Sequence, residues 1–163
     1  TKALTNVLLR KKKKIAYIGV TRDDRAVGQA REDGFRAGLL EAGIVLTEEL
    51  YGISEFSVES GYRQARAMLE KNSDIDIISC ATDTIAAGVM EALKECKKER
   101  REKVKVTGFG DNQFLKAVSE GITTVHFYYK TSGIKAAEML LDIIEEGHQV
   151  PIRMKLGYQI MEH

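Results

Sequence analysis

Thr82 and Asp83 stand where one hydrophobic pattern gives way to another. Before them, Ile75, Ile77 and Ile78 form a short β-branched run of the kind that fills a buried strand. After them Ile85, Gly88-Val89, Ala92-Leu93 and Cys96 recur at helical spacing. Asp83 or Thr82 therefore sits where a helix N-cap belongs. Its turn lies at the carboxyl end of the strand, where open α/β sheets place their ligands. The free N–H groups of the first helical turn point the same way and suit a polar or anionic group.

Other reactive chemistry is sparse. Cys80 ends the strand and Cys96 lies late in the helix, a separation that disfavours a disulfide. Free buried thiols fit a reducing compartment, and neither cysteine has a clustered metal partner. The histidines, His126, His148 and His163, have no cysteine or second histidine at ligand spacing. Carboxylates are abundant, but none belongs to a motif with a nucleophile or a metal. There is no GxGxxG or GxxxxGKS/T phosphate loop. These residues predict a binding module without metal or cofactor, and no enzyme.

The elements that would position such a junction alternate along the chain. Ile15–Val20 reads as the first strand, followed by the polar loop Thr21–Val27 and a helix from Gly28 or Gln29 to Ala42, stopped by Gly43. Ile44–Tyr51 reads as a second strand and Gly52–Phe56 as a second ligand-side loop. Ser57 caps a helix over Val58–Lys71. Val104–Thr107 is a further strand, followed by the flexible turn Gly108–Asn112 and a short helix, Gln113–Ser119, ended near Gly121. Ile122–Phe127 is a fifth strand. A helix over Ser132–Glu146 follows, capped by Gly147, and Val150–Met161 is a last β segment that contains Pro151. Five alternations of strand and helix predict an α/β fold, a three-layer sandwich around a mainly parallel sheet.

Bulk properties agree with a single domain. A chain of 163 residues with 44% hydrophobic and 30% charged residues has room for a real core. A net charge of +1 gives no bulk electrostatic support for nucleic-acid binding by this chain. Lys11–Lys14 and the mixed run Lys97–Lys103 read as solvated helix ends. No stretch is long and apolar enough to cross a membrane. The basic cluster follows the apolar residues of the N-terminus, the reverse of a signal peptide, so the cytoplasm is the expected compartment.

Taken in order, several segments resemble the effector-binding core of LacI/GalR-type transcription repressors, a periplasmic-binding-protein-like unit of two α/β subdomains. Lys14–Gly19 is similar to the first strand of the C-terminal subdomain, and Arg31-Glu32-Asp33-Gly34-Phe35 to the family's R-x-x-G-F helix. Phe56 with Ser60-Gly61-Tyr62 resembles an aromatic followed by S-G-Y/F. Ala81–Gly88 resembles A-N-D-x-x-A-x-G, and Val106–Asp111 resembles V-x-G-F/Y-D-D/N. Ile122-Thr123-Thr124-Val125 resembles the L-T-T strand.

The resemblance implies one lobe of a two-lobed sensor. Residues 1–13 would be the tail of an absent N-terminal subdomain and 14–128 the C-terminal effector-binding subdomain. Residues 129–149 would be a helix that crosses to the other lobe, and 150–163 a C-terminal β segment. The implied function is sensing of a small sugar or sugar phosphate, of disaccharide type, by a DNA-binding regulator whose head is not in this chain. The alternative is the sugar-binding protein of an ABC-type transporter, which shares the fold. The isolated chain would hold half a cleft and bind sugar weakly or not at all.

Effector contacts carry over residue by residue. Arg31 matches an arginine that bonds effector hydroxyls, and its fork suits vicinal hydroxyls or phosphate. Phe56 matches an aromatic that stacks on a sugar ring. Thr82 stands where relatives carry an amide, and a hydroxyl still bonds sugar. Asp83 suits the helix cap better than a ligand contact. Gly110 replaces a carboxylate of many relatives, which favours an anionic effector and resembles the trehalose and sucrose operon branch. Arg22 and Arg25 lie in the same ligand-side loop and read equally as phosphate contacts or as exposed loop charges, and Tyr129 matches an aromatic at the crossover. His126 reads as a polar residue at a strand end. A homodimer is implied, with Ala87, Met90, Ile122 and Thr123 at its interface and operator DNA reached only through the head.

Overall fold

A computed structural model describes residues 1–9, 14–113, 122–147 and 150–162. The helix expected over Gln113–Ser119 lies, beyond its first residue, outside the described residues. So do Lys11–Lys13, Gly121, His148 and His163. The described chain forms one six-stranded sheet, β1 (Ile15–Gly19), β2 (Tyr51–Ile53), β3 (Ile77–Cys80), β4 (Lys105–Thr107), β5 (Thr123–Phe127) and β6 (Tyr158–Glu162). The strand order is β2-β1-β3-β4-β5-β6. The first five strands run parallel, and β6 runs antiparallel to β5 at the edge.

Helices cover both faces. α1 (Lys2–Leu8) and α2 (Ala30–Glu41) lie on one face, and α3 (Val58–Lys71) and α4 (Asp83–Lys94) on the other; α5 (Lys98–Lys103) and α6 (Tyr129–Glu146) complete the set. The period of 2 along β1 assigns the faces. Tyr17 stacks on Phe35 of α2 with ring centroids 4.6 Å apart, whereas Gly52 faces α3: a Cβ there would lie 3.5 Å from Met68 Cε and 3.8 Å from Ile18 Cγ1. β1 and β3 are buried along their whole length, as expected of a parallel sheet covered on both sides. α3 and α4 touch almost backbone to backbone: a Cβ on Gly88 would lie 2.1 Å from the Val58 carbonyl oxygen.

Three elements differ most from the sequence reading. Ile44–Leu46 is not a strand; Glu48–Leu50 forms a 3₁₀ turn and β2 begins only at Tyr51. The last β segment is confined to Tyr158–Glu162, because Pro151 has no N–H to donate and residues 150–157 have no ladder partner. α6 begins at Tyr129, three residues before the expected start, and Gly147 ends it in the left-handed conformation with φ +65°.

The resemblance assigns the segment 1–13 to the tail of another lobe, yet over its described residues it packs on this one. Leu4 and Thr5 are buried, and α1 lies so close to α2 that a Cβ on Gly38 would come within 2.6 Å of Thr5 Cβ. Lys14 is tied to the turn before β3, with its Nζ 2.7 Å from Asp74 Oδ1 and its N–H donating to Asp76 Oδ2 at 3.1 Å.

Candidate functional site

Because β1 to β5 are parallel, the turns that follow them gather along one edge of the sheet. That rim consists of Val20–Asp24 after β1, Ser54–Phe56 after β2, Ala81–Thr82 after β3, Gly108–Asn112 after β4 and Tyr128–Tyr129 after β5. Open α/β sheets bind ligands at this edge.

Arg31, in the first turn of α2, is the best-anchored side chain on the rim. It is half-buried. Its Nη1 donates to the Ala81 carbonyl oxygen, and its guanidinium carbon lies 4.1 Å from the centroid of the Phe109 ring. One arginine thus bridges the turns after β3 and β4. Burial pulls its pKa below the ordinary arginine value, partly offset by Tyr129, Tyr17, Asp24 and Asp83. A guanidinium clamped on one edge and one face still has N–H donors for a hydroxyl pair or an oxyanion.

Thr82 is the N-cap of α4: its Oγ1 accepts the Ile85 N–H at 3.2 Å. The cap is therefore Thr82 and not Asp83, because Asp83 lies one residue inside the helix and its side chain turns elsewhere. Asp83 is 4% exposed. Its Oδ1 accepts from Thr124 Oγ1 at 2.8 Å and its Oδ2 from the Asn112 N–H at 2.6 Å. Gly110 stands between this carboxylate and Tyr129. Its φ is +137°, and a Cβ there would sit 3.4 Å from Asp83 Oδ2 and 3.8 Å from the Tyr129 hydroxyl oxygen. Tyr129 is 61% exposed and packs edge-on to Phe127 at 5.8 Å. Arg31, Thr82, Asp83, Gly110 and Tyr129 are thereby brought together.

Phe56 is on the same rim, 54% exposed, in the turn after β2. Its ring is open to an apolar face but does not join the Arg31–Phe109 pair. Arg22 is differently employed. It bonds Asp33 Oδ1 at 2.9 Å and lies 3.2 Å from Glu32 Oε1, which folds the β1–α2 loop against α2. Glu32 also accepts from Arg36 at 2.6 Å and from the Tyr51 hydroxyl at 2.9 Å. Burial pushes its carboxyl upward, but these hydrogen bonds outweigh burial and hold it below the ordinary value. Asp24 holds the same loop by accepting the Ala26 and Val27 N–H groups at 3.0 and 2.7 Å. Arg25 is exposed beside it.

His126, expected as a polar strand-end residue, pairs its Nδ1 with Asp111 Oδ2 at 2.6 Å. Of the residues expected at a dimer interface, Ala87, Met90 and Thr123 are half-buried on the single chain. Ile122 is 4% exposed and belongs to the hydrophobic core, so it has no free surface to offer. Val89 and Val125 are also core residues. Two rim residues escaped the sequence reading, Phe109 and the main-chain oxygen of Ala81. Phe109 carried a signal, an aromatic between two glycines in a turn; a carbonyl oxygen carries none. No group of three potential metal ligands exists among the described residues, and none of the described helices is long and apolar enough to cross a membrane.

Residues 7–162 match the family model of the periplasmic binding protein-like domain. The chain is 33% identical over 159 residues to the HTH-type transcriptional regulator RegA of Clostridium saccharobutylicum, covering 97% of this chain and 48% of RegA. It is 27% identical over 138 residues to the HTH-type transcriptional regulator CelR of Thermobifida fusca, covering 85% of this chain and 41% of CelR. Among solved structures it superposes on a transcriptional regulator CelR–cellobiose complex with a TM-score of 0.83 and 27% identity, over 96% of this chain and 48% of that one. The chain thus spans about half the length of the curated relatives it matches.

Proposed function

The chain belongs to the periplasmic binding protein-like domain family, and from that premise we propose that it is the effector-sensing part of a LacI-type transcriptional regulator. The observation that carries the proposal is the fixed guanidinium of Arg31, held between the Ala81 carbonyl and the Phe109 ring on the ligand edge of a parallel sheet. A cation fixed in this way is ready to meet a polar ligand without first losing its own rotamer freedom.

The proposed effector is a small sugar or sugar phosphate of disaccharide type. Arg31 donates to its hydroxyls or phosphate, the exposed ring of Phe56 covers an apolar C–H face, and the Tyr129 hydroxyl closes the side next to Gly110. Cellobiose is the sugar in the CelR complex, and it is a suitable first probe. Operator DNA would be bound by a head in the longer protein, in the cytoplasm, and effector binding would shift that protein between two states of different DNA affinity. Pairing of two copies would use the half-buried Ala87, Met90 and Thr123.

Calorimetric titration of cellobiose, trehalose and their phosphates tests the reading. In the longer regulator one of these sugars should bind, and Arg31→Ala should weaken that binding by more than about tenfold, the loss expected of a charge-assisted hydrogen bond. The 163-residue chain presents one wall of the site and should bind the same sugar far more weakly. Equal affinity of the Arg31→Ala variant in the longer protein overturns the assignment of the rim.

A further inference from the structure

We propose that Asp83 is a positioning residue for the rim: through the turn after β4 it places the Phe109 ring on which Arg31 rests, and through Thr124 it ties that turn to β5, the strand that precedes Tyr129. This rests on reading the rim as the effector site, but it concerns how the rim is built. Three contacts carry it. Asp83 Oδ2 accepts the Asn112 N–H at 2.6 Å. Asp83 Oδ1 accepts from Thr124 Oγ1 at 2.8 Å. The Asp83 N–H donates to the Phe109 carbonyl oxygen at 3.3 Å. One residue at the start of α4 thus grips both ends of the segment Phe109–Asn112 and the start of β5.

The turn is shaped around the carboxylate. A Cβ on Gly108 would lie 2.1 Å from Asp83 Oδ1 and one on Gly110 would lie 3.4 Å from Asp83 Oδ2. The two glycines leave room for the carboxylate on either side of Phe109. Thr124 Oγ1 also accepts the Asp111 N–H at 3.2 Å, and the Gly110 N–H donates to the Val125 carbonyl oxygen at 3.0 Å. The turn therefore lies on β5 in one register. Asp83 is 4% exposed and both of its oxygens accept from the protein, so it acts on a ligand through Phe109 and Arg31 and not by contact.

The test needs no ligand. An arginine stacked over an aromatic ring has its side-chain N–H resonance shifted upfield by the ring current, and the shift disappears when the ring moves away. Asp83→Asn keeps the shape but replaces one acceptor oxygen by an N–H₂ donor. Thr124→Val keeps the shape and removes the hydroxyl. In the 163-residue chain, either variant should lose at least about half of the upfield shift of Arg31 Nε–H, the resonance that reports the cation–π stack. The control is Thr107→Val, which removes a buried hydrogen bond of 3.1 Å to Ser79 at the level of the sheet, and it should leave the resonance in place. Folded Asp83→Asn protein with an unchanged Arg31 resonance overturns the proposal, as does an equal change in Thr107→Val. If Asp83→Asn does not fold, Thr124→Val decides by the same criterion. A positive result stands even where no sugar binds, so failure of the effector reading and failure of this inference are separable.

Discussion

Glu32 is a carboxylate taken out of water and compensated by three neighbours, Arg36, Tyr51 and Arg22. Its carboxyl is held below the ordinary value of 4.5. A depressed folded-state pKa contributes stability above the unfolded-state pKa, and that stability is lost as pH falls through the folded-state value. The native protein should therefore lose urea resistance on acidification through and below the ordinary Glu range more steeply than Glu32→Gln, and the two midpoints should converge in acid. Parallel curves would show that Glu32 does not contribute. The two thiols differ in the same physical way. Cys80 is buried, and burial raises its pKa, whereas Cys96 is half-buried. A thiol-specific reagent should react quickly with Cys96 in the native protein and with Cys80 only on unfolding. Cys96→Ser should abolish the fast phase.

At the scale of elements, the helices are held where small residues admit close neighbours. Gly38→Ala places a methyl group 2.6 Å from Thr5 Cβ, and the overpacking should cost about 1–3 kcal/mol in chemical denaturation. Thr82→Ala removes the oxygen that accepts the Ile85 N–H and should cost about 1 kcal/mol. Elements with an internal period were legible before any coordinates. The Ser57 cap and the helix to Lys71 follow from sequence alone, as does the buried run ending at Cys80. Ile44-Val45-Leu46 misled because a β-branched apolar run says nothing about whether a neighbouring strand is in reach; Val45 is 79% exposed. The rim itself was legible, since parallel strands bring all their following turns to one edge. Its internal bonding was not. Arg31 is anchored by a main-chain oxygen and an aromatic face, and Asp83 by a turn and a strand 29 and 41 residues away in the chain, pairings that no local pattern encodes.

At the scale of the whole molecule, the chain carries more apolar surface than its core consumes. Ile134, Leu140, Leu141, Ile143 and Ile144 of α6 are all exposed, and so are Val150, Ile152 and Met154 after it. Exposed apolar side chains in such number promote association where they adjoin. Replacing Leu141 and Ile144 by serine should lower self-association in sedimentation velocity while leaving the unfolding midpoint nearly unchanged, because neither side chain is packed. A large loss of stability would show that α6 is supported by the sheet. The relatives, about twice as long as this chain, are where a cover for this surface is expected.

β5 and β6 are paired side by side, with Phe127 opposite Tyr158, so the excursion that contains α6 departs from the sheet and returns to it at a single point. Two adjacent, hydrogen-bonded strands about 5 Å apart fix where α6 leaves the sheet and where the chain rejoins it, beside the turn that carries Tyr129. A partner covering the exposed side chains of α6 would therefore be tethered next to the Arg31 edge.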